Sequence, residues 1–93
     1  MPTTATDEAA ATDASNPITA SREQIDALDA AIIDLIAERA RVSRRIQTAR
    51  IHSGGTRVEL SRERVILNTY RAALGRTGAH LADAVLQVCR GER

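Results

Sequence analysis

From Ser21 to His52 the chain has neither glycine nor proline, and an apolar repeat of seven residues runs through the stretch. Ile25, Ile32 and Ile46 stand on one line of the repeat, and Leu28, Leu35, Val42 and Ala49 on its partner line. A sustained period of seven marks a helix that packs lengthwise on another helix. One place breaks the pattern. Arg39 occupies the position on the isoleucine line between Ile32 and Ile46, so a permanent charge stands where the seam calls for an apolar side chain.

The helix start is signalled by Ser21 with Gln24 as a capping box, and by Glu23 and Asp26 in the first turn. The spacing predicts a helix from Arg22 to about His52, roughly 46 Å long. That exceeds the width of a small globule, so something equally long must lie alongside it. The segment "SGGTRVE" reads as a loop with a glycine helix cap. A second helix is expected from Glu59 or Ser61 to Leu74, with Ile66, Leu67, Tyr70, Ala73 and Leu74 on its apolar face. Gly75 and Gly78 then bracket a short turn. A third helix is expected from about Ala79 to Arg90, using Leu81, Val85, Leu86 and Val88. Strand-type alternation is absent, which makes the class all-α: one very long helix and two short ones.

Residues 1–20 are rich in Ala, Thr, Asp, Ser and Pro and offer little to bury, so they read as a disordered leader before a domain over residues 21–93. They lack the basic start and apolar run of a signal peptide, and no stretch approaches the ~18 apolar residues of a membrane span. The single Cys89 excludes an internal disulfide and fits a reducing cytoplasm. With Tyr70 as its one aromatic residue, the short domain would gain by sharing a core with a second copy.

From Ser21 onward 13 basic residues, all arginine, face 9 acidic ones. Arg41, Arg44 and Arg45 read as a solvated helix face. Arg39 and Arg50 differ. Eleven residues apart, they fall about 20° from one line and roughly 16 Å apart along the axis, on a shared face. On the second helix, Glu59, Arg62 and Glu63 are neighbours by the three-and-four rule, and Glu59 and Glu63 extend the line of Ile66, Tyr70 and Ala73. Charges thus continue apolar stripes on two helices. A buried Arg39–Glu63 pair is one account, although such pairs seldom gain over apolar packing. The other is a ligand that completes the set: a small anion with carboxylates for the forked guanidinium groups and a hydroxyl for the acids. Arg22 lies 17 residues, roughly 25 Å, from Arg39 on the same helix. It is either a plain first-turn surface residue or, if two copies pair antiparallel, a contribution to the other copy's site.

In combination these residues resemble the all-helical chorismate mutase family. The pattern is Arg22-x2-Ile25-x2-Leu28-Asp29, then Leu35-x3-Arg39, then Arg50 eleven residues on, then Arg62-Glu63 opening the second helix. It covers about Ser21 to Tyr70, and its joint spacing is specific although each piece is common. The short third helix and the "CRGER" ending are similar to the small stand-alone mutases of actinobacteria. The resemblance implies an intertwined homodimer that converts chorismate to prephenate on the route to phenylalanine and tyrosine. It implies that Arg22 from the partner subunit and Arg39 hold the substrate carboxylates. Arg50 would meet the ether oxygen and ring carboxylate, and Glu63 the ring hydroxyl. Arg62 is the neighbouring site arginine, and Glu59 stands where members carry Asp or an apolar residue. No cofactor and no metal are implied. The late-helix Gln of longer members has no counterpart, and Arg90 and Gly91 are the residues open to approach the site in its place; the spacing does not decide it. Small actinobacterial members are sluggish alone and are activated in a complex with the heptulosonate-phosphate synthase. A similar partner is implied here through the C-terminal residues, although "GER" lacks the apolar tail of some relatives.

The chemistry fits what is missing: no Ser–His–acid set, no metal-ligand cluster and no phosphate loop, with His52 and His80 reading as surface residues. Same-fold rivals are an isochorismate pyruvate lyase and an amino-deoxychorismate mutase, whose ligands differ at the ring substituent facing Glu63. A helical dimerisation module and a nucleic-acid binder are rivals from another class. The first has no reason to bury Arg39, and the second would show an exposed basic stripe with aromatics nearby. An Arg39→Leu variant separates these classes: a dimer module gains thermal stability, whereas a mutase loses turnover of chorismate.

Overall fold

The computed structural model describes residues 16–55 and 59–91. They form three helices and no strand: α1 (Pro17–His52), α2 (Leu60–Leu74) and α3 (Arg76–Cys89). The class is all-α, as the periodicity predicts. The chain divides into two compact units, Met1–Ile33 and Asp34–Arg93, with α1 passing from one into the other. Among the described residues no helix is long and apolar enough to cross a membrane.

In the first unit, α1 begins earlier than the Ser21 capping box predicts. Asn16 Oδ1 accepts the backbone N–H groups of Ile18 (2.9 Å) and Thr19 (3.3 Å), and Pro17 fills the first helical position. Asparagine at the cap followed by proline is a complete start signal: the side chain satisfies two orphan donors, and proline has no N–H to orphan. Residues 17–20 therefore belong to the helix and not to a leader, while residues 1–15 of the expected leader lie outside the described residues. Ile25, Leu28 and Ile32, all on the seven-residue repeat, are each more than half exposed in the single chain.

The second unit holds the packed core. Ala40 of α1 meets Val85 and Cys89 of α3, with Ile36 and Tyr70 packed against them. The buried positions of α3 are Gly78, Ala79, Ala82, Val85, Leu86 and Cys89, one face at three- and four-residue spacing. Of the apolar residues expected there, Val85 and Leu86 are inside, but Leu81 and Val88 are about half exposed. Small side chains took the contact because they let helix axes approach. On α2, Ile66, Leu67 and Tyr70 are half-buried, whereas Ala73 and Leu74 are exposed.

Gly54, at φ +86°, carries the chain out of α1, and Gly55 N–H closes the turn on the Arg50 carbonyl. Gly75 alone separates α2 from α3. Gly78 does not bracket a turn as expected; it is buried inside α3, where an added Cβ would lie 2.3 Å from the Tyr70 carbonyl oxygen and 2.8 Å from Leu74 Cβ. The obstacle is backbone, which has no room to move, so this hairpin closes only around glycine. Gly78→Ala is expected to destabilise the fold by about 1–3 kcal/mol, read as a lowered midpoint in urea unfolding.

Candidate active site

Three helices of the second unit enclose a cleft of about 300 Å³. α1 contributes Arg39, Val42, Ser43, Ile46 and Gln47; the start of α2 contributes Glu59, Arg62, Glu63 and Ile66; and the end of α3 contributes Leu86, Cys89 and Arg90. A wider recess between Glu38 and His52 is walled by α1 alone, so no second element closes on a ligand there. An exposed Arg41–Glu38 pair and the exposed Arg44 and Arg45 lie along it, as a solvated face requires. His52 and His80 are exposed as well.

Arg39 sits in the cleft half-buried, one guanidinium nitrogen 3.0 Å from the buried Cys89 Sγ, which accepts its hydrogen bond. The alternative in which Arg39 pairs with Glu63 does not hold. Glu63 Oε2 instead accepts from Arg90 Nη1 at 2.7 Å, with both side chains about four-fifths buried. Arg50 reaches the rim through Glu59, Nη1 to Oε2 at 3.0 Å, in a pair 30% and 52% exposed. Arg50 itself does not form the cleft wall. Arg62 and Glu59 are exposed at the edge, so in the single chain the site is an open cleft. Arg22 is exposed in the first unit.

Three residues of the wall went unread in the sequence. Ser43 and Gln47 follow Arg39 at four-residue steps, a spacing that puts neighbours on one helical face, so their signal was present. The Gln47 amide donates toward Ser43 Oγ (3.3 Å) and the Cys89 carbonyl (3.4 Å), tying α1 to the end of α3. Cys89 had no readable signal beyond its helical position. No group of three or more His, Cys, Asp or Glu among the described residues is placed to hold a metal ion.

Among the described residues, four guanidinium groups (Arg39, Arg50, Arg62 and Arg90) against two carboxylates (Glu59 and Glu63) leave a surplus of two positive charges at and around the cleft. Its wall is otherwise apolar or uncharged. Such a site favours a small dianion with an apolar body, held by forked donors that match carboxylates.

The family model for chorismate mutase type II matches residues 21–90. The chain belongs to that family. Intracellular chorismate mutase from Mycolicibacterium smegmatis is 47% identical over 70 residues, which cover 75% of this chain and 67% of that protein. Intracellular chorismate mutase from Mycobacterium tuberculosis is also 47% identical over 70 residues, covering 66% of its length. The chain thus spans about two thirds of the mycobacterial family members it matches. Among solved structures, one chain from a non-covalent complex of DAHP synthase and chorismate mutase from Corynebacterium glutamicum, with bound transition state analog, superposes with a TM-score of 0.77. It is 38% identical, and the match covers 82% of this chain and 92% of that one. Within the family pattern, Arg39, Glu59, Arg62 and Glu63 all meet at one cleft, and Arg50 touches its rim.

Proposed function

We propose that the chain is a chorismate mutase, an intramolecular isomerase that rearranges chorismate to prephenate in phenylalanine and tyrosine biosynthesis. The observation that carries this reading is the convergence of Arg39, Arg62, Glu59 and Glu63 from two helices on one cleft, with Arg90 in its wall and Arg50 at its rim bringing the charge surplus among the described residues to two. The reaction breaks the ether C–O bond and forms a C–C bond in one cyclic electron shift. It needs no nucleophile, general acid or cofactor. Two demands remain. The enolpyruvyl side chain must be held folded over the ring, which Arg39 does through a carboxylate, joined by the partner subunit's Arg22. Positive charge must also stand where the breaking bond builds negative charge on oxygen.

Arg50 takes that second role. Its partly exposed pair with Glu59 belongs to a class worth about 0–1 kcal/mol, so an incoming substrate can exchange Glu59 for the ether oxygen and ring carboxylate. Glu63 accepts the ring hydroxyl, and Arg62 completes the anion-binding edge.

The working form is an intertwined homodimer. Ile25, Leu28, Ile32, Leu35 and Ile46, all on the seven-residue repeat of α1, stand more than half exposed in the single chain. A second copy laid along them removes that apolar surface from water at about 25 cal/mol per Å², and it supplies Arg22. An activating complex with the heptulosonate-phosphate synthase is part of the same proposal, supported by the C. glutamicum complex. A cytoplasmic location is supported by the naming of the mycobacterial relatives as intracellular and by the free, buried Cys89.

The test is loss of chorismate absorbance on adding the purified protein, followed by product identification, with isochorismate and the amino analogue run in parallel. Prephenate formed from chorismate alone is the expected result; pyruvate release or turnover of another substrate sinks the assignment. Because guanidinium charge does not titrate in the range, turnover is expected to stay within about twofold from pH 6 to 9. Arg50→Ala is expected to lower kcat by about 100-fold or more, the scale of losing one preorganised donor to the developing charge. Addition of the synthase from the same organism is expected to raise turnover, and an unchanged rate removes it as a partner.

A further inference from the structure

Arg90 is absent from the residues that the family pattern assigns, yet it is among the most firmly placed side chains of the cleft. Its backbone closes α3: the N–H bonds to the Leu86 carbonyl at 3.0 Å, and Gly91 N–H returns to the Val88 carbonyl at 2.9 Å. The residue before it, Cys89, is 2% exposed, and the Cys89 carbonyl is held from α1 by Gln47. From this anchored base the guanidinium reaches 2.7 Å to Glu63 Oε2, with the two side chains 20% and 23% exposed. An ion pair this buried seldom adds net stability over apolar packing, which directs attention to what the pair does for the cleft.

We propose that Arg90 is a positioning residue for Glu63. This rests on the mutase reading above, and it names how the ring-hydroxyl acceptor of that site is prepared. A glutamate has three side-chain torsions, and at the cleft its carboxylate must be aimed before the substrate arrives. The charge-assisted bond from Arg90 holds one oxygen, Oε2. Among the described residues no side chain bonds to Oε1, which leaves that oxygen to accept the hydroxyl. Arg90 therefore acts through Glu63 and through the ring hydroxyl, not on the migrating side chain.

A double-mutant cycle reads this coupling. Turnover of chorismate by the unmodified full chain is measured first, and its absence would remove the mutase reading together with this proposal. Given turnover, Arg90→Gln is expected to lower kcat/KM about tenfold, with Arg90→Lys restoring part of the loss. In a Glu63→Gln background the further change Arg90→Gln is expected to cost less than twofold. Equal losses in both backgrounds overturn the proposal and leave the mutase reading standing, because a structural prop or a direct grip on a substrate carboxylate does not depend on Glu63. Thermal midpoints of all four proteins accompany the cycle. If Arg90→Gln does not fold, Arg90→Lys takes its place in the same cycle, with about a fivefold loss expected alone and none beyond Glu63→Gln. If Glu63→Gln turns over too slowly to measure, calorimetric titration with prephenate, which keeps the ring hydroxyl, reads the same two ratios in affinity. Equal losses there overturn the proposal as well.

Discussion

The contact among Ala40, Val85 and Cys89 is the point on which the cleft depends. It brings the end of α3 against the middle of α1 through side-chain packing. Cys89 occupies the centre of this contact and turns its sulfur to Arg39, so the same residue both packs the core and receives a site guanidinium. Gln47 adds a polar tie about two turns along α1, to the Cys89 carbonyl. Arg90 follows directly and is delivered to Glu63. Gly78 fixes the other end of α3 by allowing it to start against the Tyr70 carbonyl. With both ends held, α3 presents its last turn to the cleft as a rigid wall.

The electrostatics of the cleft follow from that geometry. Each acid is engaged by a different arginine: Glu59 by Arg50 at the exposed rim, Glu63 by Arg90 in the interior. The difference in burial gives the pairs different lifetimes in function. The rim pair is weakly held and exchangeable, whereas the inner pair, with water mostly excluded, costs far more to break. Arg39, bonded among the described residues to a thiol acceptor, gives up little when a carboxylate arrives. The site is thus arranged so that the groups expected to meet substrate carboxylates and the ether oxygen are the ones with replaceable partners.

Much of this was legible along the chain. The helical class followed from the absence of strand alternation and from apolar periods of seven and of three and four. Arg39 announced itself by interrupting the isoleucine line, and Glu59, Arg62 and Glu63 by continuing an apolar stripe with charge. Other features were misread for identifiable reasons. The capping box at Ser21 was a plausible start, but Asn16 accepts two backbone donors and Pro17 has none to leave unpaired, so the helix begins there. In α3, size drew the choice toward Leu81 and Val88, while the packed face used Ala82 and Cys89, whose value lies in allowing close approach.

What the sequence by itself determined was local: which segments are helical, where glycine ends them, and which charges stand on apolar lines. These depend on residues within one or two turns of each other, and such interactions are written in spacing. The pairing of charges was decided only by the tertiary structure. Arg39 and Glu63 were candidates for each other, but the approach of α3 placed Cys89 and Arg90 between them, 50 and 27 residues away along the chain. Spacing along one helix carries no record of what a later helix will bring to it, because that depends on where side chains far apart along the chain pack together.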